Sequence, residues 1–156
     1  MKTITFITGT RADYGKIKSL ILELQKKKNK FKTHLMITGM HNIRKFGHTK
    51  DEIYKDKIQN CYRFSNQSKN KSMDLILANT IKGINNFVSN NKTDLIVVHG
   101  DRVESLAGAI TGCLNNIKVA HIEGGEISGT IDEIIRHSIS KLSHLHFVTN
   151  KIAKKR

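Results

Sequence analysis

The sequence predicts an α/β fold, an open parallel sheet with helices on both faces. Three observations predict it: strand-like and helix-like segments alternate along all 156 residues, the run 94–99 is apolar on both faces, and no proline interrupts the chain. A strand that is apolar on both faces is typical of the centre of a parallel sheet, and the alternation places helices between successive strands. A chain of this length is expected to form one domain.

The first half of the chain contains three of the predicted strands. A β-branched run at 3–8 ends at Gly9, a second strand covers 34–38, and a third covers 60–65. Residues 42–57 are polar and weakly patterned, which favours a loop and a short helix. The helix after the first strand has apolar residues three and four apart on one face: Ile17, Leu20, Ile21 and Leu24.

The second half of the chain alternates in the same way. Apolar periodicity predicts helices at 73–89, 104–114 and 130–142. Apolar and β-branched runs predict strands at 94–99, 118–122 and 144–149. From Asn150 onward the sequence is typical of the first turn of a longer element.

The net charge of +14 invites a nucleic-acid-binding interpretation, which the distribution of the charge disfavours. The basic residues are scattered apart from 26–28 and 151–156, and aromatic residues make up only 6% of the chain. Nucleic-acid binders tend to interleave arginine and aromatic side chains along one face, so we predict a solvated lysine surface. No apolar run approaches the ~20 residues that span a bilayer. Cys61 and Cys113 lack partners at metal-binding spacing, so we expect a cytoplasmic protein without a membrane span or a metal.

A first polar cluster, 9–16, follows the first strand and opens a helix. Backbone amides at the start of a helix favour an anion, and Arg11 and Lys16 would add positive charge. The cluster is not a Walker loop, because five residues separate its glycines and Ile17 stands where that loop needs Ser or Thr. A plain turn with solvated basic residues explains the same pattern, and the cluster alone does not separate the two interpretations.

Two further clusters follow the strands at 94–99 and 118–122. In the first, Asp101 stands at the mouth of the sheet; it could cap the next helix, but the crowding of acidic and basic residues at 99–104 favours function.

The richest cluster is 121–137, in which Glu123 precedes two glycines. An apolar stripe is predicted along its helix, and Asp132 and Arg136 are expected on the border of that stripe. Glu133 is explained by a capping box with Thr130, so Asp132 is the preferred chemical residue. The predicted stripe comprises Ile131, Ile134, Ile135, Ile139 and Leu142.

In this order, the three clusters resemble the UDP-N-acetylglucosamine 2-epimerases. The hydrolysing branch, which opens sialic-acid-type pathways, fits best: 9–15 reads Gly-Thr-Arg-Ala-Asp-Tyr-Gly and 99–102 reads His-Gly-Asp-Arg. The non-hydrolysing relatives carry Pro-Glu after Thr-Arg and Thr after Gly-Asp. The resemblance covers essentially the whole chain, as the N-terminal half of the family's protein.

The resemblance implies a Rossmann-like N-terminal domain of a two-domain fold of the GT-B type, with ligand between the domains. Residues 1–150 would form this domain, 151–156 would begin the interdomain linker, and the second domain would be absent. We therefore expect the chain to be truncated and nearly inactive alone. Self-association into a homo-oligomer is expected by analogy with the family.

The resemblance also implies a reaction on a UDP-sugar that needs neither cofactor nor metal. UDP would be eliminated from UDP-N-acetylglucosamine to give a 2-acetamidoglucal, and water would then add to give N-acetylmannosamine. The catalytic acids would be Asp101, Glu123 and Asp132. The substrate-binding cations would be Arg11, Lys16, Arg102 and Arg136.

Two other functions remain open at the level of sequence. The motifs do not separate the first activity from a hydrolysing UDP-diacetylbacillosamine 2-epimerase of the same branch. A non-catalytic anion-binding module would use Arg11 and Lys16 and leave the three acids structural.

Overall fold

The computed structural model describes residues 1–43, 45, 47, 49–67 and 72–156, and these form a parallel sheet in the order β3-β2-β1-β4-β5-β6. Arg44, Phe46 and His48 of the predicted loop at 42–57 lie outside the described residues. The strands are β1 Lys2–Thr8, β2 Phe31–Ile37, β3 Cys61–Arg63, β4 Leu95–His99, β5 Lys118–Ile122 and β6 Leu145–Phe147.

Helices connect the strands, as the alternation predicts. They are α1 Arg11–Lys26, α2 Thr49–Lys55, α3 Met73–Asn90, α4 Val103–Leu114, α5 Ile131–Leu142 and α6 Lys151–Lys155, with a 3-10 turn at Gly39–Asn42. None of the described helices is long and apolar enough to cross a membrane. The strand order is that of a Rossmann-like sheet, and it reverses between β1 and β4, the switch point beyond which such folds bind ligands.

The hydrophobic core has two layers, one on each face of the sheet. Successive residues of a strand point to opposite faces, so Phe6 of β1 packs with Ile17 and Ile21 of α1 while Ile7 packs with Ile84 of α3. All of these side chains are buried, and α4 and α5 complete the second layer. The predicted arrangement of helices on both faces is therefore confirmed.

Some predicted details are wrong. Leu20 is exposed, because the buried face of α1 follows Tyr14, Ile17 and Ile21, with Leu24 at its edge. The strands β3 and β6 are each three residues long, shorter than the runs at 60–65 and 144–149 predict. Both lie at the edges of the sheet, where pairing with a single neighbour sets the length of the strand.

Candidate active site

Three turns meet at the carboxyl edge of the sheet, and they carry the polar clusters of the sequence. They follow β1, β4 and β5, which are neighbours in the sheet and run parallel. Parallel strands end at the same edge, so residues from distant parts of the chain come together there. This edge lies at the switch point, where a ligand is expected.

Glu123 lies between two basic side chains, Lys16 of α1 and His99 at the end of β4. Its Oε1 accepts a hydrogen bond from Lys16 Nζ at 2.9 Å, and its Oε2 lies 3.0 Å from His99 Nε2. The hydrogen bond from Lys16 is the main cause that lowers the pKa of Glu123, and burial opposes it. The side chain is therefore an ionised carboxylate at neutral pH, able to accept a proton.

The backbone of Glu123 is in the left-handed region, with φ 62°. A residue other than glycine pays of order 1–3 kcal/mol for such a conformation, and strain of this kind clusters at functional sites. The amide of Glu123 donates to the Phe147 carbonyl at 2.8 Å, which holds the turn against β6. The strained turn directs the carboxylate back toward β4 and α1.

Asp101 pairs with Arg136, which reaches it from α5. Arg136 is 8% exposed; its Nη2 donates to Asp101 Oδ2 and its Nη1 to the Glu126 carbonyl at 2.7 Å. The helix-capping alternative for Asp101 is wrong, because α4 takes Arg102 as its N-cap residue. The carboxylate is held by a guanidinium instead of by backbone amides.

The start of α5 is more exposed than the predicted stripe implies. Ile131 and Ile134 are exposed, whereas Ile135 and Ile139 join the core and Leu142 packs against it. Asp132 is likewise exposed rather than half-sheltered. The apolar spacing of α5 continues into its first turn, but no helix or strand among the described residues packs against that turn.

The capping box predicted for Thr130 and Glu133 does not form. The Thr130 side chain makes no cap bond to the described residues, and Glu133 Oε2 accepts from the amides of Ser128 and Gly129, at 2.8 and 2.6 Å. These backbone hydrogen bonds lower the pKa of Glu133. Glu133 thus organises the loop before α5.

The start of α1 differs from the predicted anion site. The Asp13 carboxylate accepts from the amides of Gly9 and Thr10, at 2.9 and 3.0 Å, and completes a capping box with Thr10. An anion supplied from within the chain already occupies these amides. The Thr-x-x-Asp spacing of a capping box was the available signal. Arg11 turns away to pair with Glu52 of α2 at 2.9 Å, so Lys16 is the cation of this cluster that reaches the site.

A cleft of about 500 Å³ opens beside these turns. Three of the predicted site residues line it, namely Asp101, Arg102 and Asp132. Its other lining residues include the polar side chains Gln67 and Glu104 and the apolar side chains Met40, Ile43, Met73 and Ile76. The Lys16–Glu123 pair is connected to this cleft through His99, which ends β4 two residues before Asp101. No group of three or more His, Cys, Asp or Glu side chains suited to a metal occurs among the described residues.

Two side chains of the polar clusters, His121 and Glu104, received no role from the sequence, and both are buried. His121 is fully buried in β5, where its Nε2 donates to the Gly100 carbonyl at 2.7 Å and its Nδ1 lies 3.0 Å from Ser140 Oγ. A histidine within a buried strand was the available signal for it. Glu104 is also buried, and it is held by Asn66, a residue that no sequence pattern distinguished.

Gly39→Ala is expected to destabilise the fold by at least about 2 kcal/mol. Gly39 has φ +60°, and a Cβ there would lie 2.6 Å from the Gly9 carbonyl oxygen. The control is Gly15→Ala within α1, where a Cβ meets nothing within 4 Å and alanine should stabilise by about 0.5–1 kcal/mol. Urea unfolding of the variants measures both effects, and an unchanged stability for Gly39→Ala would contradict the geometry.

The sequence model of the UDP-N-acetylglucosamine 2-epimerase family matches residues 23–156. The chain belongs to this family. A UDP-N-acetylglucosamine 2-epimerase of Neisseria meningitidis serogroup B is 47% identical over 153 residues, which is 98% of this chain and 40% of that protein. A UDP-N,N'-diacetylbacillosamine 2-epimerase (hydrolyzing) of Legionella pneumophila is 36% identical over 160 residues, covering 100% of this chain and 42% of that protein.

Among solved structures, the UDP-N-acetylglucosamine 2-epimerase of Neisseria meningitidis bound to UDP-N-acetylglucosamine matches with a TM-score of 0.84 at 28% identity. The match covers 99% of this chain and 42% of that one. The predicted family and the Rossmann-like fold class of the GT-B type are thereby confirmed. The chain spans about 40% of the length of the epimerases it matches.

Proposed function

We propose that this chain supplies one wall of the active site of a hydrolysing UDP-N-acetylglucosamine 2-epimerase. One observation carries the proposal: at the switch point of the sheet, Glu123 and Asp101 are each held against a basic side chain, Lys16 and Arg136. The meningococcal relative at 47% identity supports this substrate, since its name is UDP-N-acetylglucosamine 2-epimerase. The substrate and the free thiols Cys61 and Cys113 fit a cytoplasmic enzyme.

The proposed reaction begins with elimination. A base takes the proton from C2 of the sugar, the C1–C2 double bond forms, and the C1–O bond breaks with its electron pair leaving on the UDP oxygen. Water then adds at C1 while a proton returns to C2, so the net change is hydrolysis to UDP and N-acetylmannosamine. Inverting C2 requires the proton to leave from one face and return on the other, which calls for acid–base groups on two sides of the sugar.

The carboxylates are arranged in two groups that suit this requirement. Glu123 is ionised, because the hydrogen bond from Lys16 lowers its pKa, and an ionised carboxylate is the form that a base requires. Its Oε2 lies 3.0 Å from His99 Nε2, a second group that can carry a proton. Asp101 and Asp132 line the cleft and form the other group. We assign proton transfer at C2 to both groups together. Lys16, Arg102 and Arg136 would neutralise the negative charge of the substrate and of the carboxylates.

We further propose that the chain needs a second domain for turnover. Residues 1–150 form the N-terminal domain, and 151–156 begin the connection to a domain that completes the cleft. The support is the share of the relatives that the chain covers, about 40% of their length. With one wall of a cleft, the chain alone is expected to release no UDP.

The test is the reaction of UDP-N-acetylglucosamine followed by NMR, for the chain alone and together with a polypeptide covering the remainder of the meningococcal serogroup B relative. Release of UDP and N-acetylmannosamine only when both polypeptides are present supports the whole proposal. Release by the chain alone contradicts the need for a second domain. If neither the chain nor the pair releases UDP, this substrate is contradicted. If UDP does not bind to either sample, a nucleotide-sugar site is contradicted.

A second candidate substrate is UDP-N,N'-diacetylbacillosamine. The observation that favours it is the apolar part of the cleft, lined by Met40, Ile43, Met73 and Ile76. A diacetamido-trideoxy sugar carries more methyl groups than N-acetylglucosamine, and these would be buried favourably there. The Legionella relative bears this activity in its name. Measuring kcat/KM for both sugars with the paired polypeptides separates the two candidates.

A further inference from the structure

Glu104 is a buried carboxylate for which the proposed reaction has no use. It is 2% exposed and lies in the first turn of α4, where the helix dipole favours a negative charge. Its Oε1 accepts from Asn66 Nδ2 and its Oε2 from Arg102 Nε, both at 3.2 Å. Burying a charge is costly unless it is paired and hydrogen-bonded, and Asn66 and Arg102 meet both requirements for Glu104.

Two glycines from different strand ends make room for the Glu104 side chain. A Cβ at Gly9, after β1, would lie 2.9 Å from Glu104 Cδ. A Cβ at Gly39, after β2, would lie 2.6 Å from Glu104 Oε1. The backbone at the carboxyl edge of the sheet is therefore shaped around this one carboxylate.

Asn66 fixes which atoms face Glu104. Its Oδ1 accepts from the Gly39 amide at 3.2 Å, so its Nδ2 must donate, to Thr80 Oγ1 at 2.9 Å and to Glu104. Both Glu104 oxygens thus face donors. A glutamine at 104 would have to direct its own NH₂ at one of these donors, so it could not serve both.

We propose that Glu104 is a positioning residue that orients Arg102 toward the phosphates of the substrate. Arg102 lines the cleft, and its side chain is 35% exposed. Within the described part of the chain its Nε alone is hydrogen-bonded, which leaves both terminal nitrogens to face a ligand. A guanidinium held in this way matches two phosphate oxygens at once. This role rests on the proposed function, because it requires a diphosphate in the cleft.

The test compares Glu104→Gln with wild type in the paired polypeptides and in the chain alone. For the pair, KM for the UDP-sugar should rise about tenfold while kcat stays within about twofold, since a neutral glutamine holds Arg102 less strongly and cannot accept from Arg102 and Asn66 together. For the chain alone, the Kd for inorganic pyrophosphate, measured by NMR titration, should rise by a similar factor. Glu23→Gln, on the exposed side of α1, should change neither value.

A double-mutant cycle separates positioning from a purely structural role. If Glu104 acts through Arg102, Glu104→Gln should have no further effect on KM or Kd in an Arg102→Ala background. Arg102→Lys keeps the charge and leaves Glu104 in place but lacks the Nε–H, so it should reproduce the loss even if Glu104→Gln folds poorly.

Three results would overturn the assignment: equal effects of Glu104→Gln with and without Arg102, a lower Tm with unchanged KM and Kd, or wild-type behaviour of Arg102→Lys. Failure of the wild-type pair to turn over either UDP-sugar would count against the proposed function. The pyrophosphate titration of the chain would still decide the role of Glu104.

Discussion

Glu123→Gln is expected to lower kcat for UDP release by about a hundred- to ten-thousandfold in the paired polypeptides, because an amide cannot take the C2 proton. Stability should change little. The lost ion pair with Lys16 is largely solvent-exposed on the lysine side, and such pairs contribute about 0–1 kcal/mol. NMR turnover assays and thermal unfolding of the same samples measure both quantities.

The control for Glu123→Gln is Glu23→Gln, which removes an exposed carboxylate on α1 and should leave kcat and Tm unchanged. A Glu123→Gln enzyme that keeps wild-type kcat would remove this residue from the reaction. The proton transfers would then have to be assigned to Asp101 and Asp132 alone. A large fall in Tm would instead show that the pair with Lys16 is structural.

The second large effect concerns stability below neutral pH. Burial in β5 lowers the pKa of His121 to about 4, against its hydrogen bond to the Gly100 carbonyl, and the charges of His146, His99 and Arg136 act in the same direction as burial. The unfolded chain takes up a proton near pH 6.5, whereas the folded chain does so only near pH 4. The contribution of His121 to the free energy of unfolding is therefore complete above pH 6.5. It is lost as the pH falls toward 4, and the loss amounts to about 3 kcal/mol in total.

His121→Gln should flatten this dependence. Urea unfolding at a series of pH values should show a smaller decline between pH 6.5 and 4 than in the wild type, and a lower stability at pH 7.5 because a buried hydrogen-bond pair is disturbed. Part of the slope should remain, since burial also lowers the pKa values of His34 and His41. His137→Gln, on the exposed side of α5, is the matched control. A His121→Gln curve parallel to wild type would contradict the assignment.

His121 also shows how the two halves of the site are connected. It joins the Gly100 carbonyl, between His99 and Asp101, to Ser140 of α5, the helix that carries Arg136. A Cβ at Gly124 would lie 2.8 Å from His121 Nδ1, so the glycine after Glu123 makes room for this connection. Substitution of His121 is therefore expected to disturb the site as well as the pH dependence.

Much of the fold could be predicted from local pattern. Apolar runs for strands and apolar spacings of three and four for helices indicate burial locally, which is why the strand at 118–122 and the helix at 73–89 match β5 and α3 to within a residue. Edge strands were predicted too long, because their length depends on the neighbour with which they pair. Leu20 was misassigned because several faces of α1 fit a spacing of three and four, and packing selects one of them.

The same distinction between local pattern and tertiary contact applies to the candidate site. The sequence by itself determined the alternating α/β order and the polar clusters that follow β1, β4 and β5, because both are local properties of neighbouring residues. Only the tertiary structure decided which polar side chains meet: Arg136 with Asp101, 35 residues away, Lys16 with Glu123, 107 residues away, and Asn66 with Glu104, 38 residues away. Such pairs depend on the order of the strands and on where the packed helices place their side chains, and local periodicity carries no information about either.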